Sequence, residues 1–461
     1  AVERVTLPSG LEVIVHPDPS LPQVAVSTWY YVGAGDEPEG SSGRAHLFEH
    51  LFKNSAHLAG RHHYDILRGI GASDANASTG VDRTAYHQVV PAHQLEVALW
   101  LESDRMGYFL PAMTQARLEA QQQVVRSERR QRYENVPYGA ERFAMAAAMY
   151  APEHPLHHLV IGSHEHIAAN TLDDIAEFYR TWYVPANAHL VLAGAVEVGA
   201  ARRLVDRYFG SFPASRASPR RAVDPASSAG GRPAGLTQRL PDRFATMERL
   251  HLAWPGPAAH GDEGTALEVL AAAWGAPGTG ALWKRLVYRE QLAQRVSTWM
   301  VNHRLGSELH VAIDLRSGIA VERVERAFDD ELAAVCAAPF AAEAIARVVG
   351  RREAGVLWGL QSIARRAADL QRHLLWHGEP NGFVAEAARF RATSPASVQR
   401  AAATWLTGAH RLTIHTEPHA EASGRGAYAR ARTVDRSTES ESDEGSAAAP
   451  LIPPELAVAG S

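Results

Sequence analysis

Residues 214–236, ASRASPRRAVDPASSAGGRPAGL, carry no apolar period and are dense in Ala, Ser, Pro, Gly and Arg. A stretch of this kind has no face to bury, so it reads as a linker. It constrains the chain to fold as two bodies, 1–213 and 237–418. Each has about 200 residues, the size of an ordinary domain. The first half opens on a hairpin pattern: Val5 and Leu7 alternate with polar residues, Pro8-Ser9-Gly10 supplies a turn, and Leu11, Val13 and Val15 alternate again. Strands are predicted at 24–32, 74–90 and 189–195, and helices at 43–57, 61–70, 92–108, 115–133 and 171–182. The second half repeats the plan loosely, with strands at 248–254, 307–315 and 411–416 and helices at 264–273, 280–291, 319–337 and 341–377. This order predicts an α+β fold of two related domains, not a regular βαβ alternation. Residues 419–461, which include STESESDE at 437–444, are predicted to be a disordered tail or the start of a processed linker.

Charge and composition exclude several function classes. The 46 basic residues against 51 acidic ones leave −5, which excludes a nucleic-acid binder held by phosphate contacts. No apolar run reaches the roughly 18–20 residues of a membrane span. The single cysteine, Cys336, excludes a disulfide framework and a Cys-rich zinc ribbon. A bound metal therefore takes its ligands from carboxylates and from the 23 histidines. The start at Ala1 without Met fits a removed leader or a trimmed start, and the Ala- and Arg-rich composition suggests a bacterial gene. A periplasmic or secreted location is favoured over the cytoplasm.

The chemistry is concentrated in Gly43-Arg-Ala-His-Leu-Phe-Glu-His-Leu-Phe-Lys53. On a helix His46 and His50 lie one turn apart on one face, close enough to share a metal. Glu49 lies near the same face, able to reach a metal-bound water. The order inverts the His-Glu-x-x-His arrangement with the same parts. The competing reading is an amphipathic helix with two incidental histidines. A catalytic set needs a third ligand. Glu128, four after Val124 and three after Val125, shares their apolar face, where a carboxylate is costly unless paired or metal-bound. A buried salt bridge to an arginine is the alternative.

These motifs, together with LPSGLEVIVH, SDANASTGVDRTAY, VVRSERRQRYENVPYG and FYRTWYVPANAHLVLAGAV, resemble the pitrilysin/insulinase (M16) family of inverted-zincin peptidases, in its short-chain subfamily. The likeness runs from residue 3 to about 418. It implies two related domains, each an antiparallel-rich sheet packed with helices. It implies one zinc ion per chain held by His46, His50 and Glu128, with Glu49 as general base acting on the zinc-bound water. It implies a substrate-pairing strand at Ala75, Asn76, Ala77 and Thr79, where an extended peptide adds to a sheet edge. Gln121 stands where the family often has a supporting glutamate, so zinc affinity is expected to be lower.

Full-length relatives also place an arginine and a tyrosine, seven apart, in the second half to bind the substrate backbone and the oxyanion. In this chain the matching positions hold Val287 and Gln294. The resemblance thus implies the zinc-bearing subunit of a peptidase that cleaves short or unfolded peptides. A same-fold partner would supply the missing pair. A heterodimer is favoured over a homodimer. A non-catalytic docking subunit is the other class, disfavoured because the zinc residues are all present. The remaining histidine groups (His57, His62 and His63; His154, His157, His158, His164 and His166) read as surface or packing residues, and the tryptophans and Cys336 as core.

Overall fold

The computed structural model describes residues 2–58, 60–217 and 235–419. Most of the expected linker (218–234) and nearly all of the expected tail (420–461) lie outside the described residues. Two of the expected linker's first residues, Ala214 and Ser215, are among the described ones. Ser215 still belongs to the first half, its backbone N–H and hydroxyl both donating to the Ser9 carbonyl at 3.2 and 2.9 Å.

Two sheets organise the chain. The first contains β1 (Glu3–Thr6), β2 (Glu12–Pro17), β3 (Gln23–Tyr30), β4 (Ser73–Thr79), β5 (Thr84–Pro91) and β6 (Ala188–Gly194), in the order β1-β2-β6-β3-β5-β4. The second contains β7 (Thr237–Asp242), β8 (Arg249–Gly256), β9 (Ala293–His303), β10 (Gly306–Leu315) and β11 (Leu412–Pro418), in the order β7-β11-β8-β10-β9. In each, one pair is parallel (β2 with β6, β7 with β11) and the others are antiparallel. Removing β1 makes the two topologies the same, so the repeat seen dimly in sequence is explicit in strand order.

The helices of the first half are α1 (Arg44–Leu51), α2 (His63–Gly69), α3 (Leu95–Gly107), α4 (Gln115–Arg129), α5 (Gly139–Met149), α6 (His164–Ala169), α7 (Leu172–Trp182) and α8 (Val198–Phe209). In the second half come α9 (Asp262–Trp274), α10 (Ala281–Trp283), α11 (Val321–Ala337), α12 (Ala342–Gly359), α13 (Ile363–His377), α14 (Phe383–Ala392) and α15 (Pro395–Trp405). Three expectations change here. The strand predicted at 74–90 is the hairpin β4–β5, turned at Gly80 to Arg83, where the Gly80 N–H donates to the Arg83 carbonyl (2.9 Å). The helix predicted at 341–377 is two, because Ser362 caps a new helix and accepts the Arg365 N–H. Trp358 is 68% exposed and is not core.

The two compact units are not contiguous halves. Unit 1 is Ala1–Glu134, Glu153–Ala222 and Gly359–Phe383; unit 2 is Asn135–Pro152, Val223–Trp358 and Val384–Ser461. The domain boundaries read from sequence therefore misassign two helices, for a packing reason in each case. In unit 1, α13 lays Ile363, Ala367, Leu370 and Leu374 over Ile14, Ala25, Val89, Val191 and Ala193 of the sheet. Its fully buried Gln371 donates to the Ser27 and His189 carbonyls (2.8 and 3.0 Å). In unit 2, α5 carries Glu141 into a buried polar chain. The Thr416 hydroxyl donates to Glu141 (2.6 Å), and Glu141 meets His251 Nδ1 (2.7 Å). His251 Nε2 meets His310 Nδ1 (3.1 Å), His310 Nε2 meets Glu308 (2.8 Å), and the Tyr150 hydroxyl donates to Glu308 (2.6 Å). The members of this chain partner one another, and such a buried polar network fixes the position of the element that carries it.

Candidate functional site

Helix α1 is anchored before it presents any chemistry. Gly43, its N-cap, has φ +87°, and a Cβ there would lie 2.9 Å from the Ile161 carbonyl oxygen. Only glycine takes that conformation in that space. The buried Glu37 carboxylate accepts the Gly43 and Ala45 N–H groups (3.0 and 2.7 Å), donors that a helix start leaves without partners. Burial pushes the Glu37 carboxyl up to about 8, outweighing those two N–H groups. Arg44 ties the first turn to Asn170 and to Asp174 of α7 (2.6 and 3.0 Å). Phe48 stacks on Tyr183 (ring centroids 3.8 Å) within a cluster of Phe52, Phe109 and Tyr30. Each such ring contributes about 1.5–3 kcal/mol by burial.

The opposite side of α1 presents His46, Glu49 and His50 toward α4. His46 Nε2 and His50 Nε2 lie 3.7 and 3.3 Å from Glu128 Oε2, with the imidazoles edge-to-face at 4.9 Å. One donor atom from each of His46, His50 and Glu128 lies within 4.8 Å of the others; among the described residues no other such trio of His, Cys, Asp or Glu occurs. The inward face of α4 differs from expectation. Leu118, Gln122 and Val125 are buried, Val124 is 46% exposed, and Glu128 borders the buried stripe at i+3 from Val125. Arg132 pairs with the other Glu128 oxygen, Oε1 (3.2 Å).

Burial, reinforced by the neighbouring His50, holds the His46 imidazole down to about 4, so its neutral, ligating form predominates at neutral pH. Burial pushes the Glu128 carboxyl up, but the hydrogen bond from His50, with His46 and Arg132, outweighs it and holds the group at about 2. Glu49, 5% exposed, is pushed up by burial and held below the usual range by Lys53, the two imidazoles and Thr79. The Thr79 hydroxyl donates to Glu49 Oε2 (2.8 Å), and Lys53 Nζ lies 3.7 Å from Oε1.

Strand β4, which holds Ala75, Asn76, Ala77 and Thr79, is one edge of the first sheet and among the described residues pairs only with β5. Asn76 faces His87 and Ala77 faces Tyr86 across that pair, and the Asn76 side chain accepts the Ala77 N–H (2.9 Å). Ala77 is buried, and Asp74 at φ +50° opens an irregularity between Ser73 and Asn76. Gln121 is half-buried on α4 and makes no hydrogen bond to the trio. In unit 2, Val287 packs against the hydrophobic core and Gln294 is exposed on β9. The other histidines have local duties: His57 meets Asp104, His63 meets Ser55 (3.1 Å), His62 accepts the Tyr64 N–H, and His166 meets Ser42 (2.8 Å). Cys336 is half-buried against the unit 2 core.

Sequence reasoning missed Lys53, Arg132, Glu37 and the bond from Thr79 to Glu49. The first two were readable, since each lies four residues beyond its carboxylate, one turn on and just past the end of α1 or α4. Glu37 caps a helix start six residues on, and the bond from Thr79 to Glu49 joins segments that only the fold brings together.

The family model described as Insulinase (Peptidase family M16) matches residues 12–156, and that described as Peptidase M16 inactive domain matches residues 170–351. Zinc protease PqqE of Helicobacter pylori is 33% identical over 212 residues, 46% of this chain and 47% of that protein. The match thus spans about half of that relative's length. The crystal structure of a protease from Helicobacter pylori superposes with a TM-score of 0.82 at 24% identity, covering 91% of this chain and 99% of that one. The periplasmic protease PqqL from Escherichia coli superposes with a TM-score of 0.73 at 16% identity, covering 92% of this chain and 48% of that one.

Proposed function

This chain belongs to the M16 peptidase family, and from that premise we propose that it is a zinc endopeptidase subunit cleaving short or unfolded peptides, completed by a same-fold partner. The observation that carries the reading is the convergence of His46, His50 and Glu128 beside Glu49. The donor set fits zinc. It offers two imidazole nitrogens and one carboxylate oxygen at a spacing that suits ligands about 2.0–2.1 Å from a tetrahedral ion. His46 is already neutral and Glu128 already ionised at neutral pH, so neither has to lose a proton to bind.

When bound, the ion supplies Lewis-acid polarisation of the scissile carbonyl and a lowered pKa for the attacking water. Glu49 takes that water's proton and returns it to the leaving amine. Strand β4 offers an unpaired edge where an extended peptide can add as a further strand. The side chains facing that edge set which residues are accepted.

The need for a partner rests on Val287 and Gln294. Neither carries the cation or the phenol that the family uses on the oxyanion, and losing one such donor costs on the order of 10²–10³ in rate. PqqL, of which this chain covers 48%, gives a precedent for two such lengths in one protein.

The test is hydrolysis of a quenched-fluorescent peptide library by the zinc-loaded chain, with Glu49→Gln as control. The expected result is near-silence from the chain alone and at least a hundredfold gain when a same-fold chain carrying the Arg/Tyr pair is added. The gain should be lost in Glu49→Gln. Strong activity of the chain alone, lost in the mutant, would overturn the need for a different partner. Silence under every pairing despite bound zinc would overturn the peptidase reading.

A further inference from the structure

We infer that Thr79 and Lys53 form a two-point clamp that orients the Glu49 carboxylate, and that Thr79 acts on the reaction through Glu49 and not as a contact for the substrate. The inference rests on the peptidase reading above and assigns two positioning residues to its general base.

The geometry is specific about which atom each residue holds. Glu49 leaves α1 with a buried side chain whose carboxylate would otherwise be free to turn about its last torsion. The Thr79 hydroxyl, at the last residue of β4, donates to Oε2 at 2.8 Å. The Lys53 ammonium, one turn beyond Glu49, stands 3.7 Å from Oε1, within ion-pair reach but too far for a hydrogen bond. The first contact fixes the plane of the carboxylate, and the second supplies its counter-charge. One oxygen is thereby occupied and the other keeps its lone pairs for a proton. The two holds come from different elements, a strand and the segment after a helix, so neither depends on the other to be in place.

The choice of lysine is itself informative. Lysines number two, Lys53 and Lys284, among 46 basic residues. A chain that meets almost every other need for a cation with arginine uses lysine beside its candidate base. A guanidinium would bring a planar fork of five donors and would compete with Thr79 for both oxygens, whereas an ammonium is a compact point charge. Lys53 is mostly buried, with Nζ 5.6 Å from the centre of the Tyr64 ring, a contact that keeps the stem against the protein.

A strand that pairs with substrate through its backbone has no need of a threonine hydroxyl pointing at the base. The resemblance alone placed Thr79 among the substrate contacts, and the two roles separate kinetically. In the zinc-loaded protein, under the conditions that support peptide hydrolysis, Thr79→Val is expected to lower kcat about 10- to 100-fold, as a misplaced reacting group does. KM, bound zinc per chain and the melting temperature should stay near the wild-type values. Thr79→Ser, which keeps the hydroxyl, should recover most of the rate. Lys53→Met should lower kcat with zinc retained.

A raised KM with unchanged kcat in Thr79→Val would return Thr79 to the substrate and overturn the inference. So would loss of zinc in parallel with loss of rate, or failure of serine to rescue. A wild-type protein that binds zinc yet cleaves no peptide in any pairing would refute the peptidase reading. Crystal structures of Thr79→Val and Lys53→Met then decide the clamp on its own: a turned Glu49 carboxylate supports it, and an unmoved one overturns it.

Discussion

At the scale of single residues, the site turns on charge. Glu128 is the one anion in the trio, and its two oxygens are divided between tasks: Oε2 faces both imidazoles, and Oε1 faces Arg132. Glu128→Gln keeps the shape and removes the charge. It is expected to weaken zinc binding at least about 100-fold, beyond the 10- to 100-fold cost of losing an outer partner of a metal ligand. Competition against a chromogenic chelator measures this, and a change below tenfold would mean that Glu128 is not a ligand. Glu49→Gln should leave zinc binding within a few-fold of wild type, since the proposed role of Glu49 is on the water and not on the ion. These residues were legible in the sequence because one helical turn fixes the relation of His46, Glu49 and His50. From the residues alone Glu128 was legible as an inward carboxylate that is either metal-bound or paired with an arginine, and the resemblance named it as the third ligand. The bond from Thr79 to Glu49 was illegible, since nothing in the spacing of residues 49 and 79 says that a strand end meets a helix face.

At the scale of elements, the site depends on where α1 begins. Gly43 holds φ +87° with Ile161 and Gly162 backbone atoms at 2.9 and 3.0 Å from any added Cβ. Gly43→Ala therefore combines a left-handed alanine with a backbone clash, and should cost about 2 kcal/mol or more. The helix start would shift and the two imidazoles with it, so zinc occupancy should fall together with the melting temperature. A full complement of zinc in a destabilised Gly43→Ala would show that the helix start does not set the ligand geometry.

In unit 2 the corresponding dependence is on Glu308. Burial pushes its carboxyl up, but His310, His303 and the Tyr150 hydroxyl together hold it at about 2, against 4.5 for a free side chain. A depressed folded value stabilises above pH 4.5 and loses that contribution as the pH falls from 4.5 toward 2. The amount is about 3 kcal/mol at most. Denaturant unfolding of wild type and Glu308→Gln across that window should show the wild type losing stability more steeply in acid. Parallel curves would exclude the effect. Elements with strict alternation, such as β8 and β10, were readable in advance. The placement of helix α5 was not, because it is set by Glu141 reaching a histidine 110 residues away.

At the scale of the whole molecule, the repeat and the exchange of helices decide what can be read and what can be measured. The strand order of the second sheet repeats the first without its edge strand, yet the contiguous halves suggested by the linker are not the compact units. Local pattern can suggest a linker, but it cannot say that α13 covers the first sheet. That assignment depends on an apolar helix face matching Ile14, Ala25 and Val191 far away in sequence. The division has a thermodynamic consequence. All three candidate ligands lie in unit 1, whereas the Glu141–His251–His310–Glu308 chain lies wholly in unit 2. A ligand that binds only the folded form stabilises the unit that holds it, by about 4 kcal/mol at a thousand times its Kd. Chelating zinc should therefore lower the melting of unit 1 by several degrees and leave unit 2 unmoved, while Glu308→Gln should do the reverse. Differential scanning calorimetry with and without chelator, on wild type and on Glu308→Gln, separates the two transitions. A single transition that moves as a whole under either change would mean that the units unfold as one cooperative body, with zinc in unit 1 then stabilising unit 2 as well.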